Sequence, residues 1–148
     1  MVHKESQTHK AFRKAFRGKG HIVRIENAIG IGTPDIEYCF EGVAGWVEVE
    51  EVHWPRSLDS VVEFPHLTQE QKLFLTQRAL SAGNAFVLAH VQNKPNYYFL
   101  YRGANILSLG KMTAKEITDD ANYSNHNSIE NMYPELITRE PLAKLGVY

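Results

Sequence analysis

Apolar positions recur along the chain with two periods, and the switches between them predict its elements. From Lys4 to about Gly18, Thr8, Ala11, Phe12, Ala15 and Phe16 return at helical spacing. This predicts an amphipathic helix closed by Gly18 and Gly20. His21 to Asn27 carries Ile22, Val23 and Ile25 and reads as a strand. The glycine-bearing connection Ala28 to Thr33 leads into two strands, Ile36 to Phe40 and Trp46 to Glu50. Glu41-Gly42-Val43-Ala44-Gly45 between them is expected to reverse the chain. Val52 to Leu67 holds two prolines and no sustained period, so it reads as a long loop. Thr68 to Ala82 is the second predicted helix, with Leu73, Phe74, Leu75, Ala79 and Leu80 facing inward. Thr68 and Gln71 have the spacing of a capping box. Ala85 to Val91 is a buried strand, and Tyr97 to Tyr101 pairs back on it. Thr113 and Glu116 open a short helix over Ala114 to Asp120. Ala121 to Asn131 is rich in Asn and Ser and reads as irregular. Leu136, Ile137, Leu142 and Leu145 are expected to pack on the body or on a second copy. The order α-β-β-β-α-β-β implies one α/β (α+β) domain over residues 1–148, with a tail from about residue 121. Its architecture is a mixed central sheet flanked by helices.

The hairpin gathers the chemistry. Pro34 suits a strand start, because it fixes φ and offers no N–H. With the turn near Gly42, Asp35 falls opposite Glu48. Alternation puts Trp46, Glu48 and Glu50 on one face, and Val47 and Val49 on the other. Glu51 would point away from the acids, into solvent. Carboxylates that converge need protons or cations, and hard oxygen donors suit Mg²⁺ or Mn²⁺. A half-solvated strand would show the same Val/Glu alternation. Glu5 lies on the side of the apolar stripe of the first helix. There it needs a partner or a metal, unless it stays wet in a first turn that favours acids.

Charge adds a second site. The net charge of −1 conceals +6 over residues 1–24 and −7 over the rest. A basic end beside an acidic body fits a polyanion-binding face next to a metal site, with Arg13, Lys14, Arg17 and Lys19 as phosphate contacts. The alternative is a solvated, lysine-rich helix. No apolar run approaches a membrane span, and no signal-peptide pattern opens the chain. Cys39 is the one cysteine, which excludes an internal disulfide; it is expected to be a small buried hydrophobe in a reducing, cytoplasmic setting. The seven histidines lack zinc-type spacing, so none is assigned to a metal. Trp54 is expected to plug the core rather than stack on a base.

Gly32-Thr33-Pro34-Asp35, a spacer, and Gly45-Trp46-Val47-Glu48-Val49-Glu50 resemble the PD-(D/E)xK nuclease signature. Arg24-Ile25-Glu26-Asn27, Trp54-Pro55, Leu67-Thr68-Gln69-Glu70-Gln71 and the strand after Gly83-Asn84 extend the likeness. Over roughly residues 5–101 the set is similar to the VRR-Nuc branch and to small phage junction-resolving nucleases. The resemblance implies a restriction-endonuclease-like fold and a Mg²⁺- or Mn²⁺-dependent DNA endonuclease. It also implies a homodimer acting on branched DNA or Holliday junctions, in the host-cell cytoplasm if of phage origin. By resemblance Asp35, Glu48 and the Val49 carbonyl hold the cation, Glu5 adds a first-helix acid, and Gln71 lies near the scissile phosphate. The motif's final lysine is replaced by Glu50, which puts an anion beside a polyanion at a cost of about 1–4 kcal/mol at about 4 Å. Three accounts follow. Glu50 recruits a second cation; a lysine such as Lys72, otherwise a DNA contact, reaches in; or the chain is a catalytically impaired nuclease-fold protein that binds DNA or a partner.

Overall fold

The computed structural model describes residues 6–25, 32–81, 83–94 and 96–139. Glu5, Glu26, Asn27, Leu142 and Leu145 lie outside the described residues.

Six strands lie side by side in chain order: β1 (Gly20–Arg24), β2 (Ile36–Phe40), β3 (Val43–Val52), β4 (Asn84–Val91), β5 (Tyr98–Arg102) and β6 (Tyr123–His126). Every neighbouring pair is antiparallel except β3–β4, which is parallel. A parallel pair needs a crossover, supplied here by the loop after β3 and by α2 (Gln69–Leu80). The fold is thus α+β, with a mixed sheet between helices, as the element order implies.

One face of the sheet packs on α1 (Gln7–Ala15) and α4 (Tyr133–Leu136) through Phe12, Phe16, Leu136 and the strand residues Ile36, Val47, Phe86 and Leu88. The other face packs on α2 and α3 (Ala114–Asp119) through Leu75, Ile117, Val52, Val87, Ala89 and Tyr101. β4 is buried on both faces, which its run of apolar residues up to His90 requires. The long loop is pinned rather than loose. Val62 N–H donates to Met112 O at 3.0 Å, and Val62 is fully buried. Trp54 packs edge-on against Phe99 at 5.8 Å between centroids, in line with its expected core role.

The β2–β3 turn is shorter than expected. Phe40 pairs with Val43, so only Glu41 and Gly42 lie outside the ladder. Both have positive φ, 51° and 79°, the geometry of a two-residue turn that matches strand twist. Val43, Ala44 and Gly45 therefore belong to β3. The expected centre near Gly42 holds, and so does the register built on it.

Other expectations shift for physical reasons. The first helix is described over Gln7–Ala15, followed by a turn to Gly18 at φ 86°. β1 ends at Arg24. Cys39 is exposed, because Ile36, Tyr38 and Phe40 take the covered face of β2 and leave Glu37 and Cys39 on the open one. Leu73 and Leu80 are 43% and 41% exposed, because α2 instead buries Lys72, Leu75, Thr76 and Ala79. The Asn/Ser-rich stretch after residue 121 forms β6, paired with β5 from Tyr98↔His126 to Tyr101↔Tyr123. Ile129, Met132 and Leu136 pack into the α1-side core of the same chain.

Gly32 ties the site loop to α2. Its φ is 93°, and an added Cβ would lie 2.7 Å from Glu70 O. Strain and collision act together in Gly32→Ala. We expect a loss of about 2 kcal/mol in urea unfolding, and an unchanged midpoint would contradict this packing.

Candidate metal centre

The hairpin register sets the geometry. Ile36 pairs with Val47, so the next step outward puts Asp35 opposite Glu48, as expected. β2 pairing stops there while β3 continues to Val52. The Val49 N–H would lack a partner on that side. Asp35 Oδ2 accepts it at 3.0 Å. The backbone of Asp35 is held as well, since Ile25 N–H donates to Asp35 O at 2.7 Å. A strand residue directs its N–H and C=O to the same neighbour, so the Val49 carbonyl faces the edge where Asp35 sits.

Trp46 and Val52 belong to the α2-side core, and Val47 and Val49 to the α1-side core. Glu48 and Glu50 therefore project on the α2 side, as the alternation predicts. They are 3% and 5% exposed. Glu48 Oε1 and Glu50 Oε1 are buried without a hydrogen-bond partner among the described residues. Trp46 meets Phe74 at 5.1 Å between centroids, and Gly32 lies against Glu70. The first turn of α2 is thereby set beside the Asp35 loop.

Burial drives the protonation of the acids. It raises the Glu48 carboxyl well above the usual range, and the Asp35 charge adds to this. Burial also pushes Glu50 up to about 8, aided by the charges of Asp35 and Glu51. For Asp35, burial raises, but hydrogen bonds from His9, Glu48 and Val49 N–H outweigh it and hold the group below the ordinary value. Without a cation, these environments favour the ionised form of Asp35 and the protonated forms of Glu48 and Glu50.

The donor set fits a hard divalent ion in type: two facing carboxylates, a backbone carbonyl and buried oxygens short of partners. Among the described residues, no group of three or more His, Cys, Asp or Glu side chains is arranged to hold a metal. Asp35, Glu48 and Val49 would thus share the ion with water, which suits Mg²⁺ better than a cage of side chains.

The remaining expected residues fall in different places. Gln71 Oε1 accepts from Thr68 N–H at 2.9 Å, and Thr68 Oγ1 accepts from Gln71 N–H at 3.1 Å. Gln71 therefore closes the capping box at the helix end beside the acids. Lys72 does not take the place of the missing lysine. It is 9% exposed, and its Nζ lies 3.3 Å from where a Gly110 Cβ would be. Burial and Lys111 lower its pKa, so it is an inward lysine rather than a surface phosphate contact. Arg13 and Lys14 on α1, and Arg17 and Lys19 just beyond it, are exposed. Lys19 also sits 5.3 Å from the Tyr133 ring centre.

Two features were missed from sequence. His9 Nε2 lies 3.3 Å from Asp35 Oδ2. Glu51 points away from the other acids as expected but is only partly exposed there: it accepts from Thr8 Oγ1 at 2.6 Å and pairs with His90 Nδ1 at 2.6 Å. The His9 and Thr8 contacts arise because the first turn of α1 reaches Asp35 and Glu51, and the His90 contact because Glu51 and His90 are register partners on β3 and β4. The signal for His9 was its place three residues before Phe12, on the buried side of the helix.

No helix among the described residues is long and apolar enough to cross a membrane. No protein-family model matches the chain, and no curated protein matches it.

Proposed function

We propose that this chain is a divalent-metal-dependent DNA endonuclease, selective for branched DNA or a Holliday junction and acting as a homodimer. The observation that carries the reading is the facing pair Asp35 and Glu48 with buried, unpartnered oxygens at Glu48 and Glu50. The ordered likeness to PD-(D/E)xK nucleases around these residues supports it, as does the exposed basic surface of α1.

A bound Mg²⁺ or Mn²⁺ would supply an activated water and offset charge on the phosphate. Asp35 and Glu48, with the Val49 carbonyl, would hold that ion. Arg13, Lys14, Arg17 and Lys19 would grip the DNA backbone and set its position without reading sequence. Gln71, at the positive end of α2, would face the phosphate side of the site.

Glu50 favours a second reading. It is an acid where the family has a cation, and no described lysine replaces it. On that reading the protein binds DNA or a partner without cutting. Purified protein incubated with branched and linear DNA separates the two. Cleavage with Mg²⁺ or Mn²⁺, absent in chelator and reduced at least about a thousandfold in Asp35→Ala, is the outcome expected of the enzyme. Tight binding with no metal-dependent product would leave the second reading in its place.

A further inference from the structure

Resting on the reading of Asp35 as a cation ligand, we propose that His9 is a positioning residue for that carboxylate, itself held by Ser6. Ser6 caps α1, its Oγ accepting from the His9 N–H at 3.1 Å. The same Oγ lies in hydrogen-bond contact with His9 Nδ1. Asp35 Oδ2 is a carboxylate acceptor 3.3 Å from Nε2, so Nε2 carries the ring proton on that side, and the Ser6 contact at Nδ1 holds the ring in this orientation. Asp35 Oδ2 also accepts the Val49 N–H.

Two donors converging on one oxygen pin the carboxylate plane. Oδ1 is the oxygen that neither donor uses. A metal-binding side chain steadied through a second hydrogen bond is a recurrent outer-shell arrangement. Docking of α1 does not depend on this contact. Phe12 and Phe16 are fully buried, and Thr8 anchors the same turn to Glu51 at 2.6 Å. The hydrogen bond of His9 is therefore directed at the function of Asp35, not at holding the helix.

Titration of Mn²⁺ into the full chain, read by the electron paramagnetic resonance signal of free ion, tests this without turnover. Wild type is expected to show a saturable site that Asp35→Ala removes. His9→Ala is expected to bind Mn²⁺ about tenfold more weakly. His9→Gln, whose amide N–H can still donate, is expected to recover most of that loss. In an Asp35→Asn background, His9→Ala should add nothing further. If His9→Ala does not fold, His9→Phe fills the volume without a donor and takes its place. Unchanged or tighter binding in the donor-free variant, with an Asp35-dependent site intact in wild type, overturns the role of His9 alone. Absence of Asp35-dependent binding in wild type removes the cation reading and the role of His9 with it.

Discussion

Glu50→Gln is expected to stabilise the cation-free protein at pH 8 and to flatten its loss of stability with rising pH. The carboxyl has a folded pKa of about 8 against an ordinary 4.5. Between those values the folded state keeps a proton that the unfolded chain has released. Stability from this group is therefore full below about pH 4.5 and falls as pH rises through about 8. The window corresponds to on the order of 4 kcal/mol, a large share of a typical domain's margin. Glu48 is shifted upward too and acts in the same direction, so some slope remains in the variant. Asp35 is shifted downward, and its contribution is lost only at acid pH. Urea midpoints at pH 5 and pH 8 in chelator read the effect. Equal slopes in wild type and Glu50→Gln would contradict the burial of an ionising Glu50. Added Mg²⁺ or Mn²⁺ should restore stability at pH 8 in wild type, because a cation that replaces protons is favoured where protons are scarce.

Glu50→Lys is expected to raise cleavage. The substitution returns a cation to a position that sees Asp35 and, on the proposed reading, substrate phosphate. With Glu50 held largely protonated by burial, the gain is the attraction of the added cation, about 1–4 kcal/mol at about 4 Å, or about fivefold to a thousandfold in rate. Single-turnover cutting of a branched substrate measures it. Loss of an existing wild-type activity would contradict this expectation and assign Glu50 to a second cation.

The core of the site was legible because a β-hairpin converts sequence spacing into spatial register. Once the chain reverses at Glu41-Gly42, Asp35 must meet Glu48, and alternation must put Glu50 beside them. The same logic should have exposed Cys39: Glu37 shares its face, and the small size of a thiol says nothing about cover. What failed depended on contacts distant in sequence. Nothing near Glu51 says that Thr8 and His90 will reach it, because that requires knowing where α1 lies on the sheet and the register of β3 against β4. The α2 stripe misled for a related reason. Leu73 and Leu80 fit a helical period, but the helix is rotated to bury Lys72 and Thr76. β6 was hidden because Tyr-Ser-Asn-His has little strand character of its own and takes its form from the free edge of β5.

The most direct test is diffraction from crystals soaked in Mn²⁺, recorded for the metal's anomalous signal. A peak within coordination distance of the Asp35 and Glu48 carboxylates, absent in Asp35→Ala crystals, is the expected result. A map with no signal between those two side chains at saturating Mn²⁺ would contradict the shared cation on which the endonuclease reading stands.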